Sequence, residues 1–341
     1  MPCDDFDALI GENDSVFDWD TVYAIEKKRE RVIDAYGILG DGCAEKHDPP
    51  PIDVDHSKSR ISVKWKTPQD INLEWYLMPL SGDPDDAGYE PMKRLHIYEH
   101  PQRGAEYSVG IDPGQGVGGD RTIISVNKCG NDVLPDVQVA EFASDDIDNV
   151  EIYAWACCIA AYYSKFMKEE EDGMATVIIE QRRKYGDSCY HAMKLHGFRK
   201  HHHFRQYDKK TLKEKPSERA REGWFTNEWS RPMLLGTFKA AVVGGWYKVN
   251  SKWLQAEIEK FEQGQTTSGK LRWDHMDDEH DDRIFAAAMS YFTLHDMDVL
   301  AERHKQRYQA PEEEDIVLDT RPFYTEVRNP MADAFLEAYQ K

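Results

Sequence analysis

From Tyr107 onward the apolar residues fall into runs whose length and period predict alternating strands and helices. Tyr107–Ile111, Thr122–Asn127 and Val137–Phe142 are short runs bounded by turn formers, and each predicts a strand. Their short links imply antiparallel pairing. Asp148–Glu169 carries Ile152, Trp155, Ala156, Ile159 and Tyr163 at helical spacing and predicts a long helix. Met174–Ile179 is apolar or β-branched after Ala175, as in a strand buried on both faces, and a helical crossover would lay it beside the first strand. Helices are expected after Gly186, over Pro232–Val243 and over Ser251–Phe261. A last one opens at Asp281, with Ile284, Phe285, Ala288, Met289 and Phe292 on one stripe. Three strands, a helix, a strand and then helices describe an α/β sandwich around a mixed sheet rather than a βαβ repeat.

The flanks are less regular. Trp19–Tyr36 reads as one helix, ended by Gly37 and the Gly-Asp-Gly at 40–42. HDPPPIDVDHSKS at 47–59 reads as an extended linker, because consecutive prolines cannot enter a helix. ISVKWK, Asn72–Met78 and Leu95–Tyr98 are strand candidates, so this third reads as an appendage with a small sheet and no chemistry. Beyond Asp298 lies a charged tail, with EEED at 312–315 and a short helix near Met331–Tyr339.

Composition narrows the function classes. No apolar stretch among the 341 residues reaches transmembrane length, and MPCDDFDALIG has no cationic segment followed by an apolar one. The cysteines at 3, 43, 129, 157, 158 and 189 form no CxxC pair, which reads as reduced thiols in a cytosolic protein rather than a disulfide framework or zinc site. A net charge of −20 argues against nonspecific coating of nucleic acid. Yet between Gln181 and Arg221 thirteen Lys or Arg face four acids, with five histidines besides. Such a basic segment on an acidic body fits a partner held at one place; a solvated loop and helix face fits the charge equally well.

Three acidic positions carry the candidate chemistry. Asp112 ends the first strand, ahead of Pro-Gly-Gln-Gly-Val-Gly-Gly. Glycines 114, 116 and 119 satisfy G-x-G-x-x-G, but a dinucleotide fingerprint needs a helix there and DRTIISV is a strand. A turn aiming Asp112 at a metal and a plain hairpin both remain open. Glu180 closes the buried strand and is followed by Arg182, Arg183 and Lys184, which suit either a phosphate grip or a surface salt-bridge cluster. Asp281 and Asp282 open the last helix, where acids commonly serve as caps or dipole partners. With His280 and the acids of HMDDEHDD beside them, they repel each other unless a cation intervenes. Carboxylates converging from strand ends and a helix start characteristically hold Mg²⁺ or Mn²⁺. The His201–His203 triplet has no acid or Cys at ligand spacing and reads as part of the basic face. No G-x-S-x-G is present, and the only Gly-Lys, Gly269-Lys270, does not fit a P-loop.

Taken in order, four segments resemble the nuclease domain of the large terminase subunit of tailed bacteriophages, within the RNase H-like group. They are LHIYEHPQRGAEYSVGIDPGQGVGGDRTIISV, ATVIIEQRRKYG, GWFTNEWSRPMLLGTFKAAV with VNSKWLQAEIEKFEQ, and HDDRIFAAAMSYF. DALIGENDSVFDWDTV is similar to the family's junction between ATPase and nuclease. The resemblance implies a mixed five-stranded sheet flanked by helices. It divides the chain into an appendage over 1–100 that ends an absent ATPase half, a nuclease domain over 101–298 and a tail over 299–341.

It further implies a metal-dependent endonuclease that cuts concatemeric double-stranded viral DNA during genome packaging, with little sequence readout. Asp112, Glu180 and Asp282 would be catalytic and, with Asp281, would hold two Mg²⁺ or Mn²⁺ ions; His280 would be auxiliary. Arg182, Arg183 and Lys184 would contact DNA. The implied partners are DNA, the ATPase half or subunit, the small terminase subunit and the portal, in the cytoplasm of an infected bacterium with no membrane association. The competing readings are a non-catalytic docking module for the portal or small subunit, and a Holliday-junction-resolvase-like nuclease.

Overall fold

A computed structural model describes residues 15–40, 54–66, 70, 72–114, 121–131, 133–147, 151–164, 174–181, 185–198, 200–204, 221–228, 230–265, 271–275 and 280–295. Helix α1 (Trp19–Lys28) precedes β1 (Asp34–Gly40), β2 (Ile61–Lys66), β3 (Asn72–Pro79) and β4 (Arg94–Ile97). The strands β5 (Tyr107–Asp112), β6 (Thr122–Lys128) and β7 (Asp136–Ser144) follow, then α2 (Glu151–Ser164) and β8 (Thr176–Ile179). The remainder is α3 (Tyr185–Leu195), β9 (His203–Phe204), β10 (Arg221–Glu222), α4 (Ser230–Val243), β11 (Tyr247–Lys248), α5 (Lys252–Glu259), the hairpin β12 (Phe261–Gln265) and β13 (Leu271–His275), and α6 (Asp282–Leu294). Among the described residues no helix is long and apolar enough to cross a membrane.

The centre of the fold is the predicted one. β5, β6 and β7 form an antiparallel meander, and the α2 crossover lays β8 parallel to β5. Beside β8 a fifth position is shared by two short pieces, with His201 bridging Val177 and Trp224 bridging Glu180, both parallel. This is an RNase H-like arrangement. The sheet is wider than five strands, however: β4 pairs antiparallel with β7, and β1, β3 and β2 continue from it, so the N-terminal strands belong to one nine-stranded sheet.

The predicted helix Trp19–Tyr36 is shorter. Asp18 caps α1 through the Thr21 N–H at 2.7 Å, Lys27 and Lys28 complement its C-terminal dipole, and the chain leaves the helix at Arg29. Asp34–Gly40 is instead a strand paired on both edges, with β3 and β4. Partners on both sides outweigh helix propensity, which is weak in a segment holding Val32, Ile33 and Gly37.

Strand parity assigns the two faces of the sheet. Tyr107, Val109 and Ile111 of β5 and Val177 and Ile179 of β8 join the core beneath α2 and α3. Ser108, Gly110 and Asp112 therefore face the other way, towards α6, as do Ile178 and Glu180. On that face Ser108 Oγ donates to the Ser290 carbonyl at 2.7 Å and Asn127 Nδ2 to the Ala287 carbonyl at 3.1 Å. A β-carbon on Gly110 would stand 2.1 Å from the Ala286 carbonyl oxygen, so the helix rests on bare strand backbone. Gly110→Ala must push α6 off β5 and is expected to cost about 1–3 kcal/mol or more. Urea unfolding should show this as a lower midpoint with an unchanged m-value.

Candidate active site

The register of β5 and β8 brings the first two acids together. Ile111 lies opposite Ile179, and the Glu180 N–H donates to the Ile111 carbonyl at 3.0 Å. Asp112 and Glu180 thus leave adjacent parallel strands at the same end and on the same face, close enough for the Glu180 charge to act on the Asp112 carboxyl. Trp224 locks the other side of Glu180, since its N–H donates to the Ile179 carbonyl at 2.8 Å and its carbonyl accepts from the Gln181 N–H at 2.7 Å. A β-carbon on Gly186 would meet the Glu180 carbonyl oxygen at 2.1 Å, which explains the glycine soon after this acid.

The start of α6 completes the cluster. Asp281 stands at the N-cap position but makes no side-chain cap hydrogen bond. Capping falls to Glu257 of α5, whose Oε2 accepts from the Arg283 and Ile284 N–H groups at 2.9 and 3.3 Å. The Arg283 guanidinium bonds Glu257 Oε1 at 2.8 Å and Glu141 Oε1 of β7 at 2.9 Å. All three residues are buried. Burial opposes the Arg283 charge, and the two carboxylates overcome it, raising its pKa above the ordinary value. With the cap supplied from α5, both aspartates are released from that duty.

Each aspartate has other neighbours. Asp281 is ion-paired with Arg231, whose guanidinium also lies over the Phe285 ring at 4.5 Å. Asp282 Oδ2 accepts from the Arg121 N–H at 3.3 Å, and His280 Nδ1 lies 3.5 Å away. Thr226 donates its hydroxyl to Glu180 Oε1. Neither Thr226 nor Arg231 stood out in the sequence, because GWFT and Arg231-Pro232 have no catalytic spacing of their own. Fifty residues separate Arg231 from Asp281, and only the fold brings them together.

The electrostatics follow from this convergence. Burial pushes the Asp112 carboxyl well above the ordinary carboxylate range, and the charges of Glu180, Asp282 and Asp281 push it further. Several negative groups at one spot retain a proton unless a cation replaces it, and the all-oxygen donors suit a hard divalent ion. Because the folded pKa exceeds the unfolded one, the folded chain binds more protons between those two values. Stability is therefore present at acid pH and falls as pH rises through the folded pKa.

Among the other candidates, Arg182, Arg183 and Lys184 lie outside the described residues. So do the glycine-rich turn over 115–120, the acids over 276–279, ten in all of the thirteen Lys or Arg between Gln181 and Arg221, the junction over 1–14 and the tail. His201 departs from its expected place on a basic face: it is buried, its Nε2 donates to the Phe198 carbonyl at 2.7 Å, and its ring packs edge-on against Tyr190. Packing and a satisfied N–H account for it. For the carboxylate cluster, Asp112→Asn is expected to raise the neutral-pH melting temperature of the metal-free chain. It should also flatten the decline of that temperature with rising pH, measured by thermal melts across a pH series.

No family model and no curated protein matches the chain. Solved structures similar to it include the large terminase nuclease from thermophilic phage G20c, at 15% identity and a TM-score of 0.40, covering 58% of this chain and 87% of that one. The Thermus phage P74-26 large terminase nuclease domain matches at 16% identity and a TM-score of 0.41, covering 60% of this chain and 87% of that one. The human cytomegalovirus terminase nuclease domain matches at 12% identity and a TM-score of 0.37, covering 59% of this chain and 87% of that one. These structural neighbours are terminase nuclease domains, of phages and of human cytomegalovirus.

Proposed function

We propose that this chain is a metal-dependent endonuclease that hydrolyses the phosphodiester bonds of double-stranded DNA. The observation that carries the reading is the meeting of Asp112, Glu180, Asp281 and Asp282 from two strand ends and a helix start, with Asp112 driven towards protonation by burial and by the other three. In this reading the four carboxylates hold two divalent ions, Mg²⁺ or Mn²⁺. When bound, such ions neutralise phosphate charge and acidify a water nucleophile.

The chain's own residues prepare that site. Asp112 would hold such ions as the carboxylate, so that their binding would be coupled to release of its proton. Thr226 holds one Glu180 oxygen and leaves the other for coordination. Arg231 anchors Asp281, and the Glu141–Arg283–Glu257 set fixes the height and rotation of α6, so that Asp282 faces the strand ends. His280, beside Asp282 and partly exposed, is placed to orient it. Arg182, Arg183 and Lys184, a few residues past Glu180, would take up the DNA backbone, which makes binding weaken as salt rises.

The substrate and setting come from the sequence resemblance: concatemeric viral DNA cut with little sequence readout during packaging, in an infected bacterium. The partners on this reading are a terminase ATPase half or subunit, the small terminase subunit and the portal. The test is cleavage of supercoiled plasmid with Mg²⁺ or Mn²⁺ and with chelator. Wild type should nick and linearise it only with metal. Asp112→Ala combined with Glu180→Ala should lower the rate by about a hundredfold to a thousandfold, the loss of several kcal/mol of charge stabilisation. Equal rates in wild type and the double variant would leave the chain a docking module.

A further inference from the structure

At the opposite end of α6 from the carboxylates lies a second cluster with different chemistry. Cys129 follows β6, Asp136 opens β7, and His295 stands immediately after α6. The Cys129 sulfur, an Asp136 carboxylate oxygen and a His295 ring nitrogen all lie within 4.8 Å of one another. We propose that this trio binds a zinc ion, at a site separate from the active centre.

The donor set selects the metal. Thiolate and imidazole favour Zn²⁺ and disfavour Mg²⁺, whereas the carboxylate cluster offers oxygen alone. Three protein ligands leave a fourth tetrahedral position for water. Asp136 is fully buried and the His295 side chain is 5% exposed, while Cys129 is partly exposed and gives the ion its way in.

The surroundings already orient the ligands. Asp136 Oδ1 accepts the Gly130 N–H at 2.7 Å, which turns the other oxygen towards His295. Such bonds to the outer side of a ligand fix its direction and strengthen its binding. The backbone is pinned as well, since the Cys129 N–H donates to the Glu106 carbonyl and the Asp136 N–H to the Trp246 carbonyl, both at 2.9 Å.

Without metal, His295 Nε2 and Asp136 Oδ2 sit 2.6 Å apart, a hydrogen-bond distance. Zinc bonds of roughly 2.0–2.3 Å set tetrahedral ligand atoms about 3.3–3.6 Å apart. The His–Asp pair must therefore open slightly while the thiolate closes in. On binding, Cys129 loses its proton to solvent, and the imidazole carries its N–H on Nδ1. The ion would then tie the end of α6 to the β6–β7 connection.

The test is titration of the metal-free full chain with Co²⁺ as a spectroscopic stand-in. Wild type should develop a thiolate-to-cobalt charge-transfer band that saturates and is abolished by added Zn²⁺. The band should survive Asp112→Asn with Glu180→Gln, and be lost in Cys129→Ser and His295→Gln. In the Asp112→Asn, Glu180→Gln background Zn²⁺ should raise the melting temperature, and adding Cys129→Ser or His295→Gln should remove that rise. Absence of the band in wild type would overturn the proposal, as would an undiminished band in Cys129→Ser.

Discussion

A helix laid directly on strand backbone is the constraint on which the rest of this structure depends. Gly110 has no side chain to hold α6 away from β5, so the Ala286 carbonyl occupies the space a β-carbon would need. The sheet face under α6 is correspondingly small and polar, with Ser108 and Asn127 hydrogen-bonded to the helix backbone. That close approach fixes where α6 begins, which is above the ends of β5 and β8. Two aspartates at the helix start then meet an aspartate and a glutamate at the strand ends.

Holding like charges together costs stability, and the structure offsets that cost nearby. Arg283 lies between Glu141 and Glu257 in the core behind the cluster, while Arg231 neutralises Asp281 from the front. Removing one member of such a buried set strands a charge, at about 3–5 kcal/mol. Glu257 has a second duty as the cap of α6, so one residue of α5 both steadies the helix and frees its aspartates. Burial and the remaining excess of negative charge drive Asp112 towards its neutral form.

The sequence made the central sheet legible because each strand from Tyr107 to Ile179 is an apolar run of strand length, and short links leave few topologies. It also exposed the four acids, since each sits where an apolar run begins or ends. It could not show that Asp281 is relieved of capping α6, because that depends on Glu257 arriving from another helix. It missed β1, where pairing on both edges outweighs local preference, and the β12–β13 hairpin, whose run FEQGQ lacks the usual strand residues. Nor could spacing reveal the cysteine cluster: Cys129, Asp136 and His295 share no motif, and CxxC arithmetic is blind to ligands drawn from two strand ends and a helix end.

Anomalous scattering from a crystal soaked in Mn²⁺ tests most directly whether the four carboxylates form one cation site. Anomalous density is expected between Asp112, Glu180 and Asp282, with Asp281 within reach of the same density. Saturating Mn²⁺ with no anomalous density among these residues, in a crystal that retains the α6–β5 contact, would contradict it.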